Sequence, residues 1–202
     1  MMTQIEKLLE EFYYYIESGG VVMWPLVAGI FLLWFALGYR MFSLQRGSSR
    51  SLRDLVDLYT DNKKKRANGI IDTAVARGVD IAKQSPKYIK RFLDDDFNQF
   101  TQYMKKYSTL ARIIVLVAPL GGLLGTVNGM IEMFDSLGSQ TFYSQSGGIA
   151  RGISEALFTT QLGLVIAVPG MIVERILDKR QQKLEEELEQ LKKILCVQYK
   201  GA

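Results

Sequence analysis

The stretch "GISEALFTTQLGLVIAVPG" (residues 152–170) opens with polar side chains and then becomes continuously apolar. Its polar residues after the opening serine, Glu155, Thr159, Thr160 and Gln161, all lie within its first ten positions. No side chain carries a charge from residue 156 to residue 173. A run of this length comes close to the roughly 20 residues that a helix needs to cross the hydrocarbon core of a bilayer. The stretch therefore predicts a membrane-spanning helix with a polar head.

Two other uncharged runs of similar length lie at residues 21–38 and 113–131, and the second contains only Thr126 and Asn128 as polar side chains. Soluble helices rarely stay apolar on every face over such a length. The first run follows an acidic segment and lacks a basic start, so we expect it to be retained rather than cleaved as a signal peptide. The 202 residues thus predict an all-α membrane protein with three transmembrane helices and long cytoplasmic helical extensions.

The distribution of lysine and arginine predicts the orientation. Residues 45–107 contain 14 of them and residues 174–202 contain 7, whereas the first 20 residues and residues 137–154 contain one each, Lys7 and Arg151. The positive-inside rule places the two basic segments in the cytoplasm. We therefore expect a periplasmic amphipathic helix (1–20), the first transmembrane helix (21–43), a cytoplasmic helical segment (44–107), the second transmembrane helix (108–136), a periplasmic loop (137–146), the third transmembrane helix (147–175) and a cytoplasmic C-terminal helix (176–202).

The composition excludes several kinds of chemistry. The chain has no histidine and one cysteine, Cys196, which argues against zinc, haem and histidine-base sites and against a disulfide framework. No nucleophile–base set is evident, so we expect no enzyme, no metal and no cofactor. The net charge is +4, and "KKKR" (residues 63–66) is best explained as a solvated face near anionic lipid headgroups rather than a nucleic-acid site.

Two patterns predict helix packing. Gly121, Gly125 and Gly129 recur every four residues, which is typical of a membrane helix that packs closely against another. In the C-terminal segment, leucines at spacings of 7, 4, 3 and 4 predict a short coiled-coil seam, formed by Leu177, Leu184, Leu188, Leu191 and Leu195.

The polar residues inside the spans are candidates for function. Asn128 must find a partner or face water, because an unpaired amide in hydrocarbon is costly. Glu155 allows two interpretations: an acid in the first helical turn, paired with Arg151, or an acid two turns inside the helix that faces a hydrated passage. Thr126 can simply bond back to its own helix. Glu132 and Asp135 fall near the outer end, where we expect them to be interfacial.

The motifs "APLGGLLGTVNGMIEMF" (118–134) and "GGIARGISEALFTTQLGLVIAVPG" (147–170) resemble the paired signature of the ExbB/TolQ/MotA family of ion-driven motor proteins. "GGVVMWPL" (19–26) resembles the ExbB branch. The resemblance implies a homopentamer in the bacterial inner membrane, with a single-span ExbD-like partner in its central pore. It also implies that the proton motive force is passed through a TonB-like protein to outer-membrane transporters.

The same resemblance assigns roles to residues. Thr126, Glu155 and Thr160 match the polar pore positions of the family, and Asn128 and Thr159 are further candidates for the proton pathway. Thr159 and Gln161 depart from the usual pattern, in which small apolar residues stand at these positions. The family function implied is a proton-channel scaffold that energises transport. The alternatives are a TolQ-type component of the Tol-Pal envelope system and a structural membrane scaffold that conducts no ions.

Overall fold

The computed structural model describes residues 6, 7, 10, 13, 15–48, 50–61, 69–84, 89–138 and 142–200, with the backbone alone at 142–146 and 200. Within these residues the chain forms helices and no strand. Three helices are long and apolar enough to cross a membrane. The predicted all-α membrane fold with three spans is therefore confirmed. The helices are α1 (Gly20–Ser43), α2 (Leu52–Thr60), α3 (Ile70–Gln84), α4 (Ile89–Lys105), α5 (Ser108–Gly138) and α6 (Phe142–Lys200).

The helix bounds differ most from the sequence prediction on either side of the predicted periplasmic loop, where α5 runs on to Gly138. Helix α6 begins at Phe142, inside the segment that the sequence assigns to a periplasmic loop. The glycines at 147 and 148 have low helix propensity, so the local signal favours a later start. At Gly148 the helix passes so close to Ser136 that a Cβ would overlap its side chain, and this contact supports the longer helix. Half of the predicted amphipathic helix 1–20, and all of "KKKR", lie outside the described residues.

The chain packs into two compact units. The first, called here the membrane unit, consists of Met1–Ala36 and Leu110–Val173. In it, α5 buries a stripe of small residues at spacings of four and three: Ala111, Val115, Ala118, Gly122, Gly125 and Gly129. This stripe lies directly against the backbone of α6. A Cβ on Gly163 would meet the carbonyl oxygen of Ala118 at 2.7 Å, so the two helices approach each other backbone to backbone.

The second, the extramembrane unit, consists of Leu37–Thr109 and Glu174–Ala202. Its helices are amphipathic, and each buries one apolar face. Helix α2, for example, buries Leu52, Leu55, Val56 and Tyr59, which recur at helical spacing. The five leucines of the predicted seam are all at most 4% exposed, and Leu195 contacts the position of Gly78 on α3. The seam therefore packs within this chain.

Ion pairs accompany the apolar packing of the extramembrane unit. Arg40, at the end of α1, is fully buried and donates hydrogen bonds from Nη2 to Asp178 (2.8 Å) and Gln181 (2.9 Å) on α6. Lys192 on α6 pairs with Asp94 on α4. A break separates α4 from α5, where Tyr107 adopts a positive φ of 62°. Such a conformation is costly for a bulky residue and departs from the helical backbone. Helix α4 therefore ends before α5 begins.

Candidate functional site

Glu155 lies inside the membrane unit and is only 1% exposed. It is the fourteenth residue of α6, so the interpretation of Glu155 as an acid in the first helical turn is wrong. Its Oε1 atom accepts a hydrogen bond of 2.8 Å from the Nδ2 amide of Asn128 on α5. This hydrogen bond partly offsets the cost of burying both polar groups. The two polar residues thus satisfy each other between two apolar helices.

The first residue of α1, Gly20, closes the site from a third side. It has a φ of +63°, in the left-handed region that favours glycine. A Cβ at this position would also overlap the carboxylate of Glu155, so the close approach requires the absence of a side chain. The carboxylate therefore lies at the N-terminus of α1, where unpaired N–H groups and the helix dipole favour negative charge.

Glu132 lies one helical turn after Asn128 on α5, on the same face of the helix, and its side chain is exposed. Electrostatic interactions with Glu155 and Arg151 place it near the site. The expectation that Glu132 is interfacial stays a prediction.

Thr159 is fully buried one turn after Glu155. Its hydroxyl donates to the backbone oxygen of Glu155 at 2.9 Å, and its side chain fills the space that a Cβ on Gly125 would occupy. The hydroxyl is thus directed to the backbone of its own helix. Within this chain, Thr159 has the contacts of a packing residue.

The remaining threonines are half-buried. Thr160 donates to the carbonyl oxygen of Ala156 at 2.9 Å and lies 3.4 Å from that of Gly122 on α5. Thr126 donates to the carbonyl oxygen of Leu123 at 2.6 Å. Both hydroxyl protons are donated to backbone oxygens, but each hydroxyl oxygen keeps lone pairs that can accept a hydrogen bond from water. These two residues and Asn128 are therefore only partly covered within the chain.

The glycines of the predicted stripe lie on two different faces of α5. Gly125 and Gly129 contact α6, where a Cβ on Gly129 would meet the backbone nitrogen of Ala156 at 2.8 Å. Gly121 instead faces Leu26 on α1, and Gly122 takes its place in the stripe against α6. The four-residue spacing did not distinguish these faces.

The arrangement offers a carboxyl group that can take up and release a proton. Glu155 is buried, and Asn128 can donate a hydrogen bond to it in either protonation state. Among the described residues no group of side chains could hold a metal ion.

Comparison with known proteins gives a family match over much of the chain. The model of the "MotA/TolQ/ExbB proton channel family" matches residues 66–190, which is more than half of the sequence. The matched range includes α5 and the part of α6 that holds Glu155, Thr159 and Thr160.

Individual relatives support the same family assignment. The chain is 32% identical over 172 residues to a Synechocystis sp. protein named biopolymer transport protein ExbB-like 3, a match covering 79% of this chain and 81% of the relative. It is 30% identical over 188 residues to ExbB-like 1 of the same organism, covering 87% of this chain and 72% of that protein. It is 28% identical over 192 residues to biopolymer transport protein exbB1 of Vibrio cholerae, covering 84% and 82%.

Proposed function

The chain belongs to the MotA/TolQ/ExbB proton channel family, and from this premise we propose that it is the multi-span scaffold of a proton-driven motor that energises transport across an outer membrane. The observation that carries the proposal is the buried carboxylate of Glu155, held by Asn128 between the helices of the membrane unit. Ionisable groups inside a membrane are expensive and generally mark an ion pathway. In a proton channel, such a carboxyl group would carry protons along the pathway.

In the proposed mechanism the chain forms a homopentamer, and a single-span ExbD-like partner occupies its central pore. Thr126, Thr160 and Asn128, which are half-buried within one chain, line the pore together with the partner. Glu155 lies behind them, buried, and exchanges a proton with a carboxyl of the partner. Proton movement changes the charge at the pore wall and drives rotation of the partner within the ring.

The proposed location is the bacterial inner membrane, with the N-terminus in the periplasm and the C-terminus in the cytoplasm. The excess of Lys and Arg in residues 45–107 and 174–202 supports this orientation. A TonB-like protein then passes the motion to outer-membrane transporters. The names of the relatives, which specify biopolymer transport, favour this branch over a TolQ-type role in the Tol-Pal envelope system.

The decisive experiment measures proton flux in proteoliposomes that contain the chain with its ExbD-like partner. Glu155→Gln keeps the size and hydrogen-bonding capacity of the side chain but removes the titrating group, so we expect flux to fall by at least about tenfold, equivalent to 1.4 kcal/mol in rate. Asp135→Asn is the matched control, since it removes an exposed acid at the same end of α5, and its flux should stay within about twofold.

Two outcomes would count against the proposal. Full flux in Glu155→Gln would remove Glu155 from the pathway. Absence of flux in the unmodified complex, while transport in cells still required the chain, would favour a structural scaffold that conducts no ions.

A further inference from the structure

A cavity of about 850 Å³ lies within the extramembrane unit, beside the end of α1. Its walls are the last residues of α1, the loop that follows it, Gly69 at the start of α3, and one face of α6 between Arg180 and Glu187. None of these residues takes part in the proposed proton pathway. The volume is within the range of small-molecule sites.

The cavity carries an excess of positive charge. Three cations, Arg46, Arg180 and Lys183, line it together with one carboxylate, Glu187. Arg46 already pairs with Glu187 through a contact of 2.6 Å between Nε and Oε2. Arg180 and Lys183 lie one turn apart on α6 and, in the described part of the chain, have no acidic partner. The site therefore offers two free cations to an anionic group.

The cavity is also lined by two exposed apolar side chains. Met41 is 57% and Phe42 is 74% exposed, and both belong to the last turn of a transmembrane helix. Arg180 and Lys183 follow the predicted end of the third span by five and eight residues, or about 8 to 12 Å along a helix, which is the depth of lipid headgroups. A ligand that suits both the cations and the apolar side chains has an anionic head and an apolar tail.

Part of the cavity wall, the loop after α1 together with Gly69, is held by backbone contacts. The N–H groups of Ile70 and Ile71 donate to the carbonyl oxygens of Gln45 (3.0 Å) and Arg46 (3.2 Å). Gly69 has a φ of +90°, and a Cβ there would overlap the backbone of residues 45–47. The side chain of Arg46 also bonds the carbonyl oxygens of Ser48 and Arg50. The cavity is thus formed before any ligand arrives.

We propose that this cavity binds the phosphate headgroup of an anionic phospholipid of the cytoplasmic leaflet, with Arg180 and Lys183 on the phosphate and Met41 and Phe42 against the acyl chains. The inference uses the membrane fold and the orientation proposed above, and it does not depend on proton conduction. Bound lipid would fill the space between α1 and α6 and hold the loop after α1 in place.

The test is native mass spectrometry of the full complex released from nanodiscs of phosphatidylglycerol or of phosphatidylcholine. We expect the unmodified protein to retain phosphatidylglycerol in preference to phosphatidylcholine, and Arg180→Gln/Lys183→Gln to retain about twentyfold less of it. Lys179→Gln/Lys193→Gln removes the same charge from exposed positions of α6 that do not line the cavity, and its retention should stay within about twofold. Arg180→Lys/Lys183→Arg should bind like the unmodified protein.

Several results would overturn the proposal. Equal retention of the two lipids by the unmodified protein would show that the headgroup charge is not recognised, whether or not the glutamine variant folds. An equal loss in the control variant would show general surface attraction. Displacement of the lipid by millimolar inorganic phosphate, with no effect of Phe42→Ala on lipid retention, would indicate a site for soluble phosphate instead.

Discussion

The membrane unit and the extramembrane unit both bury long helices, but they use different residues to do so. In the membrane unit the contact between α5 and α6 is made by glycines, so that backbone meets backbone. In the extramembrane unit the contacts are made by leucines, by ion pairs such as that of Lys192 with Asp94, and by the buried Arg40.

The difference follows from the solvent. In water, burying a leucine removes apolar surface from a cohesive liquid and stabilises the fold by about 1.5 to 3 kcal/mol. In a bilayer the acyl chains are as apolar as leucine, so helices associate through close packing and a few polar contacts. The polar contact between Glu155 and Asn128 then contributes to the association of α5 with α6, and in the proposed mechanism it also serves proton transfer.

The largest expected effect tests the leucine contacts. Leu191→Ala removes a fully buried side chain from the extramembrane unit and should lower the stability of that unit by about 3 kcal/mol. Leu33→Ala, at 1% exposure in the membrane unit, should cost about 1 kcal/mol, because only packing is lost there. Hydrogen exchange of each unit in lipid nanodiscs measures both values. Equal costs would contradict the solvent explanation.

The second prediction tests the glycine contacts. Gly129→Ala forces a methyl group onto the backbone of α6 and should destabilise the membrane unit by about 2 kcal/mol. In the extramembrane unit, a Cβ on Gly78 would overlap the end of the Leu195 side chain, whereas Leu93 and Phe97 lie at ordinary contact distance. A side-chain end can shift and Gly78→Ala gains helix propensity, so its net cost should be near zero. Thermal unfolding in detergent compares the two, with the fluorescence of Trp24 and Trp34 as a probe of the membrane unit, to which both belong. If Gly129→Ala does not lower the stability of the membrane unit, α5 and α6 can move apart without cost to make room for the methyl group.

The third prediction compares the buried polar contacts. Asn128→Leu removes the amide that donates to Glu155, and the loss of a hydrogen bond to a charged group should lower proton flux by about tenfold. Gln181→Leu removes one of two acceptors of Arg40 while Asp178 remains, so it should cost about 1 kcal/mol of stability and leave flux unchanged. Proteoliposome flux and thermal unfolding of both variants separate the two roles. Reduced flux in Gln181→Leu would show that the two contacts are not independent.

The smallest effect concerns the partly exposed ion pair between Lys192 and Asp94. A double-mutant cycle with Lys192→Gln and Asp94→Asn should give a coupling of about 0.5 kcal/mol. The coupling should shrink further as salt is raised, since exposed charges are screened. Urea unfolding at low and high salt measures it. A coupling above about 2 kcal/mol would mean that the pair contributes to the extramembrane unit as much as its leucines.

The site was predictable in part. Glu155, Asn128, Thr126 and Thr160 stand out in the sequence because each polar group is unexpected in an apolar run. The partnership of Asn128 with Glu155 was not predictable, because 27 residues separate them and the rotation of two helices about their axes decides which side chains meet.

The sequence by itself determined the class of the protein: the lengths of the apolar runs require three spans, and the leucine spacing places one face of the C-terminal helix in a seam. These properties are local, because bilayer thickness and helix periodicity act on each segment separately. Only the tertiary structure decided that Gly122 rather than Gly121 faces α6, that α6 begins at Phe142, and that Gly20 and Asn128 converge on Glu155. Such choices depend on how close two helices can approach, which is fixed by both surfaces together.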